Sequence, residues 1–129
     1  MPAGKYSFII EQGTTTQFEI QYKDVNSTPV DLTGYGAKMQ IRPSIDSTEA
    51  YLTLSSSLQA DGTGLNMSGS DGNKPPTSGS IGIIISSTTS SLLNFSQAVY
   101  DLEIYSSENP PRVVRVLEGQ VKLSKEVTR

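Results

Sequence analysis

The stretch "AVYDLEI", residues 98–104, sets two carboxylates, Asp101 and Glu103, two positions apart among apolar side chains. They are either a catalytic acid pair or the wet face of a strand. Tyr100, Leu102 and Ile104 share one parity and the acids share the other, the pattern of a half-buried β-strand whose acids point to solvent.

The same period of two extends in both directions. Downstream, "SSENPP" joins this strand (Val99 to Tyr105) to "RVVRVLEGQVKL" in a predicted hairpin. In that last strand Val114 and Val116 share one parity, whereas Leu117, Val121 and Leu123 share the other. The change of phase predicts early burial on both faces or a bulge near Glu118 and Gly119, with Gly119 permitting it. Upstream, "SSTTSSLLNF" (86–95) is the one segment with helical character. It predicts a turn or two with a Ser or Thr N-cap, docking Leu92, Leu93 or Phe95 as the chain crosses between sheets.

Before it, "SIGIII" (80–85) is a strand with Ile81, Ile83 and Ile85 on a buried face. "SGSDGNKPPTSG" (68–79) has no large apolar residue and is expected to be an exposed, mobile loop. Toward the N-terminus, alternation predicts strands at Tyr6 to Glu11, at Phe18, Ile20 and Tyr22, at Ala37, Met39 and Ile41, at Leu52 and Leu54, and weakly at Leu65 with Met67.

About eight strands, with a helical turn before the penultimate one, predict an all-β protein: an immunoglobulin-like two-sheet β-sandwich, with a small barrel as runner-up. The 129 residues form a single domain, with 68–79 as its loop and 124–129 as its tail. In this arrangement Tyr100 is expected either to bond back across the corner that precedes its strand or simply to pack on the inner face.

Composition removes much chemistry. With no cysteine and no histidine, disulfides, thiol nucleophiles, imidazole or thiolate metal sites and Ser-His-Asp triads are excluded. A net charge of −3 argues against nucleic acid, which requires clustered Lys and Arg. No apolar run spans a bilayer and no signal peptide is apparent, so no membrane partner is expected and the product should begin in a cytoplasm.

Paired acids are the enzymatic option left, since a glycosidase holds two carboxylates across a sugar bond. Asp101 and Glu103 lack an aromatic platform, and no enzyme and no cofactor is expected. "DGTG" at Asp61 and "SDGN" at 70–73 offer hard oxygen ligands but lack a calcium-loop spacing, so they read as turns. "LTGYGAK" lacks the Gly-Lys-Ser/Thr ending of a phosphate loop, and its glycines are expected to open a strand.

Two longer stretches carry a resemblance. "FEIQYKDVNSTPVDLTGYGAKMQIR" (18–42) and "AVYDLEIYSSENPPRVVRVLEGQVKLSKEVTR" (98–129) resemble small virion structural proteins of tailed bacteriophages, and the N-terminal β-modules of upper baseplate or receptor-binding-apparatus proteins. The elements concerned are Asp31-Leu32-Thr33-Gly34 leading into a strand, Tyr100-Asp101-Leu102-Glu103, and Gly119 with Val121 and the ending Glu126-Val127-Thr128-Arg129. The resemblance implies a non-enzymatic tail, baseplate or fibre-attachment adaptor, or else a capsid decoration or neck protein, made in the host cytoplasm and resident in the virion. Its partners would be other virion proteins and copies of itself. A carbohydrate-binding β-module is the alternative of another class.

Edge strands and multivalency make such a role physically reasonable. Contact residues are expected in the first strand (Tyr6, Phe8, Ile10) and the tail (Lys122, Lys125, Glu126, Val127, Arg129), with Tyr100 and Gly119 structural. The run Phe8-Ile9-Ile10 fits equally a strand buried on both faces. Deleting 124–129 is expected to spare the fold and abolish incorporation into particles.

Overall fold

The computed structural model describes residues 4–69 and 72–127. Nine strands are described: β1 (Gly4–Lys5), β2 (Phe8–Glu11), β3 (Thr16–Gln21), β4 (Gly36–Arg42), β5 (Leu52–Ser55), β6 (Gly64–Asn66), β7 (Ser80–Ile85), β8 (Gln97–Tyr105) and β9 (Val113–Ser124). A 3-10 turn at Pro76–Ser78 precedes β7, and helix α1 (Ser87–Ser91) follows it.

The strands form two sheets facing each other, the predicted sandwich. The larger runs β1-β9-β8-β4-β5, with β2 also on β9, and the smaller runs β3-β7-β6. The neighbours β3-β7-β6 and β9-β8-β4-β5 correspond to B-E-D and G-F-C-C′ of immunoglobulin-like sandwiches. Here the first strand joins the larger sheet, running parallel to the last. Gly4 faces Leu117 and Glu11 faces Ser124, a constant offset of 113 residues, so β1 and β2 are one lane interrupted at Tyr6 and Ser7.

Alternation builds the core. Ala37, Met39 and Ile41 of β4, Leu102 and Ile104 of β8, Leu54 of β5 and Val121 of β9 point inward, against Ile81, Ile83 and Ile85 of β7. Fully burying a side chain of this size stabilises the fold by about 2 kcal/mol relative to leaving it in water. In the first lane Phe8 and Ile10 are buried while Ile9 is 60 % exposed, so this is an edge strand with one wet face. The reading of Phe8, Ile9 and Ile10 as buried on both faces is corrected: parity holds inside the run despite its uniform hydrophobicity.

The bulge lies earlier than expected. Leu102 faces Leu117 but Glu103 faces Arg115, so Val116 is the extra residue and Val116 and Leu117 are both buried. That accounts for the phase change in β9 and leaves Gly119 with a different task. Helix α1 joins the two sheets as predicted, capped by Ser86, whose hydroxyl accepts from the Thr89 amide. Leu93 and Phe95 dock on the core while Leu92 stays 80 % exposed.

Within the 68–79 stretch residues 72–75 and Thr77 are exposed, Gly69 and Gly79 are buried, and the segment is fastened. Lys74 forms an ion pair with Glu19 of β3 and its amide donates to Ser68, while the Pro76 and Gly79 carbonyls accept from Leu32 and Tyr22. Ser70 and Asp71 lie outside the described residues. Among the described residues no helix is long and apolar enough to cross a membrane.

Candidate interaction surfaces

The first lane is held by an uncommon contact. At Tyr6 the ladder to β9 breaks: the Tyr6 amide still donates to Glu118, but the Tyr6 carbonyl turns inward and accepts from the Tyr100 hydroxyl at 2.5 Å. The Gln120 amide takes the Ser7 hydroxyl instead, at 3.3 Å. Gly119 makes room for this turn, because a Cβ there would stand 2.0 Å from the Tyr6 carbonyl oxygen. Burial, with Tyr6 beside it, pushes the Tyr100 phenol above its ordinary range, keeping it a donor. Of the two readings of Tyr100, the inner-face packing is present, and its hydroxyl bonds not across the corner before β8 but to the opposite end of the sequence.

Around this bond lies an aromatic cluster at the open side of the sandwich. Phe8 packs on Tyr100 and Phe18 with centroids 5.1 and 4.9 Å apart, and Tyr6 lies 5.5 Å from Phe18. Tyr6 is 46 % exposed at the rim. Among the described strands none pairs with the outer edge of β1 and β2.

The outer face of the larger sheet is a charged chequerboard with a shallow groove of about 480 Å³. Lys5 pairs with Glu118 at 2.9 Å, and Arg115 with Asp101 at 3.3 Å. The hydrogen bond from Lys5 holds the Glu118 carboxyl below its usual range. Asp101 and Glu103 both lie on this open face, on one strand, rather than on opposing walls, and Arg115 stands opposite Glu103 in register. Arg42 donates to the Ser47 carbonyl at 2.7 Å and to Gln40.

The turn motifs prove to be polar staples. Both Asp61 oxygens are engaged: one accepts from the Thr63 amide, the other from the Ser86 and Thr89 hydroxyls at 2.6 and 2.8 Å. The Ser86 hydroxyl foremost, then the Thr63 amide and the Thr89 hydroxyl, hold the Asp61 carboxyl far below the usual carboxylate range. The Ser/Thr-rich stretch thus fastens α1 to the β5–β6 connection. In "DLTG", Asp31 accepts from the amide and hydroxyl of Thr33, which lowers its carboxyl, Leu32 is buried, and Gly34 turns the chain with φ of 80°. Gly36 opens β4 beneath the ring of Tyr105, as a Cβ there would meet the ring at 2.6 Å.

The tail is tied in as well. The Glu126 amide donates to Oε1 of Gln12, whose Nε2 donates to the Leu93 carbonyl at 2.8 Å. Of the expected contact residues, Tyr6, Lys122, Lys125 and Val127 are exposed and Glu126 is half-buried. Phe8 and Ile10 are interior, so their side chains present no surface. Arg129 lies outside the described residues. The alternation singled out the first strand but not Ile9, its outward apolar residue, because three apolar residues in succession hide which one faces water. No protein-family model and no curated protein sequence matches this chain.

Proposed function

We propose that this chain is a non-catalytic building block of a multi-copy assembly, working through its strand edges and not through a pocket. The observation that carries this reading is the outer edge of β1 and β2, where an unpaired backbone runs beside exposed Tyr6 and Ile9. Natural sandwiches blunt such an edge or use it for a partner. The sequence resemblance directs the reading to the virion of a tailed bacteriophage, as a tail, baseplate or fibre-attachment adaptor. Support also comes from the polar side chains: those of Asp31, Asp61 and Gln12 are committed to holding turns and ends in place, Gln12 by accepting from the Glu126 backbone amide.

Immunogold labelling of particles purified from the source strain, with antibody raised against this chain, tests the proposal. Labelling confined to the tail tip is expected. Labelling on the head or neck would move the chain to a decoration or neck role, and particles free of the chain would defeat the virion reading.

A further inference from the structure

The edge of the first lane has its own internal symmetry. The Tyr6 and Gln12 amides donate to Glu118 and Ser124 of β9, so even-numbered residues direct their backbone groups to β9, apart from the Tyr6 carbonyl, which turns inward to the Tyr100 hydroxyl. The backbone groups of Lys5 and Ile9, the Ser7 carbonyl and the Glu11 amide therefore point the other way, along the open edge, whereas the Ser7 amide belongs to the peptide plane that turns with the Tyr6 carbonyl. Residues 5–11 contain no proline, a device that normally keeps an edge from pairing, and their offset to β9 is constant, which leaves the turned peptide between Tyr6 and Ser7 as the irregularity of the lane.

We propose that this edge pairs with the same edge of a second copy of the chain, antiparallel about a two-fold axis at Phe8. The two larger sheets then become one continuous sheet. An isologous antiparallel pairing must match odd residues with odd ones, because only these offer outward backbone groups. The registers centred on Ser7, Phe8 or Ile9 all meet this condition. Only the one centred on Phe8 sets Lys5 opposite Glu11 of the second copy, and symmetry makes that pair twice. Both side chains stand on the outer face, and that of Lys5 is 77 % exposed beside Glu118.

In this register the Ile9 amide donates to the Ser7 carbonyl of the second copy, once in each direction across the axis, and the Glu11 amide reaches the Lys5 carbonyl. The ladder ends there, since the Glu11 carbonyl already accepts from the Thr14 amide and hydroxyl. On the inner side Tyr6 comes opposite Ile10 of the second copy, which covers the exposed rim of the aromatic cluster. The inference rests on the assembly reading for its biological sense, but its solution test depends on the edge geometry alone.

The test is sedimentation velocity of the full chain up to about 100 µM. The wild type is expected to be dimeric, and Ile9→Pro, which deletes an outward amide, monomeric with an unchanged circular dichroism spectrum. Lys5→Glu and Glu11→Lys should each weaken the dimer at least about tenfold, by placing like charges opposite one another. Mixed together, these two variants should form a heterodimer, since each then meets its opposite charge in both pairs. A monomeric wild type, a dimer indifferent to Ile9→Pro, or charge variants that stay monomeric on mixing would each overturn the edge pairing. Detection in or absence from particles is a separate outcome and bears only on the virion reading.

Discussion

Gly119→Ala isolates the contact between the first lane and β8. A Cβ at this position would lie 2.0 Å from the Tyr6 carbonyl oxygen and 2.7 Å from its carbon, and the nearest approach that side chains tolerate is 3.0 Å. Backbone must therefore move by about 1 Å at Tyr6, which lengthens the bond to the Tyr100 hydroxyl and disturbs the Phe8 packing. Overpacking of this kind costs about 1–3 kcal/mol, and loss of the hydrogen bond about 1 kcal/mol more, giving a total of about 2–4 kcal/mol. Urea denaturation followed by circular dichroism measures it, with a falling midpoint at constant slope. Tyr100→Phe should cost about 1–2 kcal/mol, since it leaves the Tyr6 carbonyl without its donor. The double variant should cost less than the sum, because both changes act through that carbonyl. A Gly119→Ala protein within about 0.5 kcal/mol of wild type would falsify the close approach.

The neighbouring Leu92 and Leu93 should part company. Leu93→Ala is expected to cost about 2–3 kcal/mol because Leu93 is 6 % exposed, whereas Leu92→Ser should stay within about 0.5 kcal/mol, as read by the same denaturation assay. Asp61, Asp31 and Glu118 all have carboxyls lowered in the folded protein, so their stabilisation is present above the unfolded-state value of about 4 and is lost as pH falls below it. Thermal melts between about pH 7 and pH 2 should show a shallower acid loss for Asp61→Asn than for wild type, and identical profiles would count against the Asp61 staple. Deleting 125–127 with the two residues beyond removes the Glu126–Gln12 bond, so a loss of about 1 kcal/mol is expected in place of a neutral truncation, again read from the urea midpoint.

Strand identity was legible wherever one face is wet. In β4 and β8 alternate polar residues mark the outward positions, and Leu102 and Met39, which lie opposite each other, are both inward as their parity indicates. Position within the sheets was not legible, because backbone pairing leaves little trace in side-chain type. Nothing in "GKYSFIIE" announces a parallel partner 113 residues away. The bulge was visible as a phase change in β9 but was misplaced, since glycine is the usual sign of such a site and here it answers a close approach instead. Asp61 illustrates the same limit: its turn was evident locally, whereas its partners Ser86 and Thr89 sit across the fold.

The parallel union of β1 and β2 with β9 also governs how the domain carries load. Tension applied at Gly4 and at Ser124, directed outward, slides the two strands along each other. Every backbone bond between them then resists together, lying across the pull, instead of opening singly like a zip. The Tyr100 hydroxyl and the Gly119 notch sit in the middle of that shear plane and act as a latch against sliding.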